Sequence, residues 1–267
     1  MTDAGTTAAG FGAGLAYEER GAGAPIVLIH GHPFDRRMWR PQLDALSDEF
    51  RLVAPDLPGY GASPARGETM TMRALADTVV ELLDAIGIER ALVVGLSMGG
   101  LVAMEIGLGW PERASGLVLA ATTAAPVTRE EAATRRAVAA DMEANGMLGV
   151  ALDMAARLFG ARARRDPAVV GAVFEMMISA NPSGAGAALR GRAERPDYAS
   201  LLLSVRAPVL VITGDEDSYS TAEVTDQLVA ALPAPQVVLL EGSGHLPNLE
   251  DPERFNDALR AFAGATR

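Results

Sequence analysis

The chain has 267 residues, 49% of them hydrophobic, enough to bury a full α/β core. Its formal net charge of -11 sets it against a phosphate backbone, and the densest basic run, Arg162-Ala163-Arg164-Arg165, has no interleaved aromatics, so nucleic acid is not an expected partner. Having no cysteine, the chain can form neither disulfides nor thiolate sites; its three histidines lack ligand spacing, and neither a metal nor a cofactor is expected.

Residues 1–24 are rich in Ala and Gly, with an extended piece near Leu15–Arg20. Met1-Thr2-Asp3-Ala4 lacks the basic and apolar stretches of a leader, and no apolar run approaches the roughly 18 residues of a membrane span, so a cytoplasmic protein that makes no membrane contact is expected. Gly10-Phe11-Gly12-Ala13-Gly14 imitates a dinucleotide loop. It precedes a weak strand, however, where a nucleotide fingerprint would follow a strong one and open a helix. Pro25-Ile26-Val27-Leu28-Ile29 predicts a central strand that exits into His30-Gly31-His32-Pro33-Phe34. A short helix is expected over 38–46, a strand over 51–55, and a helix over 71–86, where Met72, Leu75, Val79, Leu82 and Ile86 recur at helical spacing and Gly87 supplies the stop.

Ala91-Leu92-Val93-Val94 then reads as a buried strand, and Gly95-Leu96-Ser97-Met98-Gly99 turns it at once into the helical run Leu101-Val102-Ala103-Met104. Another strand is expected over 116–120. Residues 126–204 hold no convincing strand but four helices, the first opened by the capping pair Thr128 and Glu131, the third by Asp166-Pro167. Alternation returns with a strand over 207–212, a helix over 221–232, the strand Gln236–Leu240 and a helix over 252–262. Continuous apolar strands separated by helices indicate a parallel sheet covered on both faces. The organisation expected is therefore a core in two parts, 1–125 and 205–267, with 126–204 as a helical cap.

In an open parallel sheet, reactive side chains collect beyond the carboxyl ends of the strands. Ser97, Asp217 and His245 each follow a different predicted strand, in the chain order nucleophile, acid, histidine. A serine hydroxyl needs a base to take its proton and an acid to orient that base. His245 is the expected base, and Asp217 is preferred as the acid over its neighbours Asp215 and Glu216 because it lies further into the loop. An oxyanion would need preorganised N-H donors: Met98 at a helix start is one, and His32 or Phe34 is the other, since Pro33 has no N-H. His32 is favoured, with the His30 ring bracing the loop.

These motifs resemble those of the α/β-hydrolase superfamily, near its small esterase, enol-lactonase and cofactor-free perhydrolase branch. The resemblance rests on His30-Gly31-His32-Pro33, Asp56-Leu57-Pro58-Gly59-Tyr60-Gly61-Ala62-Ser63, Gly95-Leu96-Ser97-Met98-Gly99-Gly100, Gly214-Asp215-Glu216-Asp217 and Gly244-His245, and spans residues 15–265. It implies the α/β-hydrolase fold, a helical lid where 126–204 sit, an acid at Asp217, and an oxyanion hole lined by the backbone at His32 and Met98. Relatives often carry an aromatic or aliphatic residue in place of His32. Dehalogenase-like and epoxide-hydrolase-like members carry Asp in place of Ser97, so neither chemistry is expected here.

The expected activity is hydrolysis of small to medium uncharged carboxylic esters through an acyl-enzyme, because nothing obvious in the sequence offsets the burial of a charged acid. Lactone or enol-lactone hydrolysis, perhydrolysis, carbon-carbon bond hydrolysis, and ligand binding without catalysis are the alternatives. The partner expected is a small-molecule ester or lactone, and homo-oligomer formation is left open. A charged diacid lactone would require a pocket arginine; Arg129, Arg135 and Arg190 are the candidates, each expected more readily at the solvent face. The apolar residues of the cap, among them Met147, Leu148, Leu152, Met154, Leu158, Phe174, Met176 and Met177, are expected mainly in its core.

Overall fold

A computed structural model describes residues 8–266. The four N-terminal residues on which the leader reading rests lie outside them. Eight strands form one sheet: β1 (Ala8–Gly12), β2 (Leu15–Arg20), β3 (Ala24–Ile29), β4 (Phe50–Pro55), β5 (Ala91–Leu96), β6 (Ala114–Ala120), β7 (Val209–Gly214) and β8 (Gln236–Leu240). Their order is β1-β2-β4-β3-β5-β6-β7-β8, with β2 antiparallel to both its neighbours and every pair from β4 to β8 parallel. Gly10 and Gly12, part of the dinucleotide-like string, belong to the edge hairpin, paired with Tyr17 and Leu15.

The helices between strands are α1 (Arg40–Leu46), α2 (Met72–Ala85) and α3 (Met98–Gly109), with α8 (Ala222–Ala230), α9 (Pro247–Glu250) and α10 (Pro252–Ala265) in the second part of the chain. Successive strand residues point to opposite faces, so the sheet feeds two cores. Val27, Ile29, Val93 and Leu117 pack with Leu75, Val79, Leu101 and Met104 of α2 and α3. Leu28, Val94, Val118 and Ile212 pack on the other face with Trp39, Leu43, Phe255 and Leu259. Burial of each such side chain contributes about 1.5–3 kcal/mol, which is why the central strands read as unbroken apolar runs.

Between β6 and β7 the chain is wholly helical: α4 (Arg129–Asn145), α5 (Leu148–Leu158), α6 (Pro167–Ser179) and α7 (Pro182–Ala193), with 3-10 turns at Ala163–Arg165 and Leu202–Ser204. Thr128 caps α4 in a reciprocal box with Glu131, as its spacing predicts. The buried face of α7 is almost entirely Gly and Ala. That face lets backbones approach closely: a Cβ on Gly186 would stand 3.3 Å from the Ala139 carbonyl of α4, and one on Gly191 only 1.7 Å from the Met70 carbonyl. The small residues therefore dock the insertion against the core and bring α4 and α7 together above the carboxyl edge of the sheet. Among the described residues, no helix is long and apolar enough to cross a membrane.

Candidate active site

At the centre of that edge β5 ends in a turn held in a strained conformation, with Ser97 at φ 54° and ψ -111°. Glycine is required on both sides. A Cβ on Gly95 would lie 2.0 Å from the Gly99 carbonyl oxygen and would push the start of α3 away from β5, and one on Gly99 would lie 2.1 Å from the Ile29 carbonyl oxygen and would push the turn away from β3. Such backbone strain persists only where the surroundings over-determine it. Here β5 is locked between β3 and β6 along its length.

The Ser97 Oγ lies 3.0 Å from Nε2 of His245, whose Nδ1 is 3.0 and 2.9 Å from the two carboxylate oxygens of Asp217. Ser97 is partly exposed, whereas His245 and Asp217 are buried. The carboxylate of Asp217 also accepts the N-H groups of Tyr219 at 2.7 Å and Ser220 at 3.0 Å. Burial alone would raise this carboxyl. The charge of His245, its hydrogen bond and the two amides outweigh that effect and hold it below the usual carboxylate range. An ionised Asp217 accepts from Nδ1-H, which leaves Nε2 to accept the Ser97 hydroxyl proton.

The neighbouring carboxylates are engaged elsewhere. Asp215 accepts the Gly242 N-H at 2.6 Å, and Glu216 accepts that of Ala161 at 2.5 Å. Glu250, which sequence reasoning passed over, braces the histidine loop. It accepts the N-H groups of Gly160 (2.8 Å), Gly244 (2.9 Å) and Leu246 (2.9 Å), while the His245 N-H reaches Leu158 O at 2.7 Å. The loop bearing His245 is thus stitched to the helical insertion by one buried carboxylate, which burial drives upward in pKa against the pull of those amides.

The loop after β3 supplies the facing wall. His30 lies within hydrogen-bonding distance of Gly31 O through Nδ1 (2.8 Å) and receives the Leu57 N-H on Nε2 (2.9 Å), and burial lowers its pKa, so the neutral ring ties two loops together. Phe34 donates its N-H to Gly31 O at 3.1 Å. The N-H groups of His32 and Met98, by contrast, have no protein acceptor among the described residues. The His32 ring meets Tyr60 Oη at 2.7 Å, and its pKa is lowered well below the usual imidazole value first by burial, then by the charge of Arg192.

Ser97, His245 and His32 open onto a cavity of about 300 Å³, whose wall includes Thr122, Thr123, Met154, Tyr219 and Val224. Of the apolar cap residues singled out from the sequence, only Met154 lines it. Met147, Leu158, Met176 and Met177 are buried, and Leu148 and Leu152 face outward. Of the three candidate arginines, Arg135 lines the cavity, Arg190 is paired with Glu143 at 2.7 Å, and Arg129 is exposed. Two further guanidiniums in the cavity wall, Arg192 and Arg195, were not anticipated. A helix of Gly, Ala and Arg reads as a solvated element, and its face toward the cavity shows only once α4 is packed against it. Among the described residues, no group of three or more His, Asp or Glu side chains is placed to hold a metal ion.

The chain belongs to the alpha/beta hydrolase family, whose profile matches residues 26–258. It is similar to a thermophilic esterase from Thermogutta terrifontis, solved with malate bound, at 38% identity and a TM-score of 0.92, covering 94% of this chain and 93% of that one. It is 30% identical to 3-oxoadipate enol-lactonase 1 of Acinetobacter baylyi over 90% of this chain and 87% of the relative. It is also 29% identical to the (E)-2-((N-methylformamido)methylene)succinate hydrolase of the same organism, over 94% of each chain. The family and the arrangement of Ser97, His245 and Asp217 together support a serine-hydrolase mechanism.

Proposed function

We propose that the protein hydrolyses carboxylic esters or lactones through an acyl-enzyme formed on Ser97. The observation that carries this reading is the unbroken chain of hydrogen bonds from Asp217 through His245 to Ser97, opening on a cavity with two unengaged backbone donors. Ser97 Oγ attacks the substrate carbonyl carbon as His245 Nε2 takes its proton, while Nδ1-H stays on Asp217, which stabilises the imidazolium. The carbonyl oxygen becomes an oxyanion and is received by the N-H groups of His32 and Met98. Each such donor contributes about 3 kcal/mol of transition-state stabilisation. Met98 also stands at the start of α3, where the helix dipole favours negative charge.

Collapse of the intermediate breaks the bond to the alcohol oxygen, which leaves with the proton from Nε2. Water then attacks the acyl carbon, giving a proton to Nε2, and Ser97 leaves with that proton as the acid is released. The similarity to an esterase and to an enol-lactonase supports both an open ester and a lactone as substrates for this one sequence of steps. In this reading the helices of 126–204 act as a lid that closes the cavity over the triad.

The test is a panel of p-nitrophenyl acetate, p-nitrophenyl butyrate and a γ-lactone, assayed with wild type and Ser97→Ala. Wild type is expected to turn over at least one of them, and Ser97→Ala to lower kcat by about 10³-fold or more. Equal rates in the two proteins would overturn the proposal.

A further inference from the structure

The roof of the cavity presents a charge arrangement that ester cleavage does not require. Arg135 of α4, Arg192 of α7 and Arg195 just beyond it all line the space above Ser97. The side chain of Arg192 makes no hydrogen bond or ion pair among the described residues, and its Nε is buried without a partner. Arg195 donates one Nη to Ala125 O at 2.7 Å, while its Nε and other Nη are buried and unpaired. Among the described residues the one carboxylate lining this cavity, Glu131, stands 3.9 Å from Arg135 and already receives the Thr128 N-H at 2.9 Å. Three guanidiniums therefore share one carboxylate, in a chain whose formal charge is -11.

An unpaired buried donor costs about 1–3 kcal/mol, more when charged, so the arrangement is unfavourable unless something completes it. The proximity of like charges adds to the cost. Burial, followed by the charges of Arg135 and Arg195, lowers the pKa of Arg192 to about 9, and burial followed by Arg135 lowers that of Arg195 to about 10. Both remain cationic at neutral pH. Arg192 shares the cavity wall with His32 of the oxyanion loop and with Tyr219 and His245, and its charge helps to lower the pKa of His32. A small substrate with its carbonyl at Ser97 would therefore have the rest of its skeleton among these guanidiniums. The planar fork of Arg matches a carboxylate with two parallel hydrogen bonds.

We propose that Arg192, Arg195 and Arg135 form a carboxylate-binding subsite of the catalytic cavity, so that the preferred ester or lactone retains a free carboxylate. This rests on the hydrolase reading above and replaces the uncharged ester expected from the sequence. The three cationic side chains supply what the sequence alone did not: a compensating charge for a buried acid.

The discriminating substrates are p-nitrophenyl hydrogen glutarate and its methyl-capped counterpart, p-nitrophenyl methyl glutarate, which differ chiefly in charge. Wild type is expected to favour the acid by about tenfold or more in kcat/KM, and Arg192→Met to reduce that ratio by about tenfold or more. Arg195→Gln is expected to reduce it less, and it carries the same test should Arg192→Met not yield folded protein. Glutarate is expected to inhibit competitively and more weakly as salt rises, and inorganic phosphate to inhibit far less. Equal use of the two esters, an unchanged ratio in the arginine variants, or phosphate competing as well as glutarate would overturn the subsite. Calorimetry of glutarate binding to Ser97→Ala separates the two readings. Binding that is lost on adding Arg192→Met, with the wild type itself inert toward every ester, would leave the subsite standing and remove the hydrolase reading. Ester turnover without glutarate binding would do the reverse.

Discussion

The floor and the roof of the cavity are built on opposite electrostatic terms. On the floor the carboxylates are matched: Asp217 receives His245 and two amides, Glu250 receives three amides, and the His30 ring joins two loops. On the roof four guanidinium nitrogens from three arginines are buried with no hydrogen-bond partner. The difference teaches where each part of the work is done. The bond-breaking groups are held at hydrogen-bonding distance by the fold's own contacts, as preorganised electrostatic catalysis requires, whereas the proposed recognition surface leaves its donors to be met by what it binds.

The sharpest way to break the floor is Asp217→Asn. An amide cannot hold Nδ1-H in the same way or stabilise the imidazolium, and a fall in kcat of about 10³–10⁴-fold is expected in an ester assay. The same variant reports on pH. The Asp217 carboxyl is held below its usual range in the fold, so the stability it contributes is present above its unfolded value and is lost as pH falls through its lower folded value. The stability difference between wild type and Asp217→Asn is therefore expected to narrow on acidification, as followed by urea unfolding at several pH values below about 5. A constant difference would mean that the carboxylate is not held by these contacts.

A smaller effect of opposite sign is expected on the roof. Because the folded pKa of Arg192 lies below its unfolded value, the unfolded chain binds the proton more tightly, and at neutral pH the charge opposes folding. Arg192→Met is expected to raise the melting temperature by about 2–5 °C at pH 7. Saturating glutarate is expected to stabilise wild type and to do so less in the variant. A lower melting temperature in Arg192→Met would mean that the roof is satisfied without a ligand.

The two regions also differed in how far they could be read from the sequence. The floor was legible because its constraints are local: a strand-to-helix turn that tolerates only glycine at 95 and 99, and polar residues placed just after apolar strands. Even the choice of Asp217 over Asp215 and Glu216 turned on loop position, and the latter two are found accepting other amides. The roof was not legible, since helical spacing in the insertion shows which residues share a face but not what that face meets. Arg135 and Arg190 looked alike as sequence, yet one enters the cavity and the other pairs with Glu143. The edge strand Ala8–Gly12 was missed for another reason. Ala and Gly have low strand propensity, and its pairing with Leu15–Arg20 comes from the hairpin and not from an apolar pattern.

The account depends most on covalent chemistry at one hydroxyl. Acid-quenched mass spectrometry during turnover of p-nitrophenyl acetate is predicted to show a single acetyl group on the peptide containing Ser97, appearing as p-nitrophenol is released and disappearing when substrate is exhausted. Sustained ester turnover with Ser97 unmodified at every quench time, and undiminished in Ser97→Ala, would contradict it.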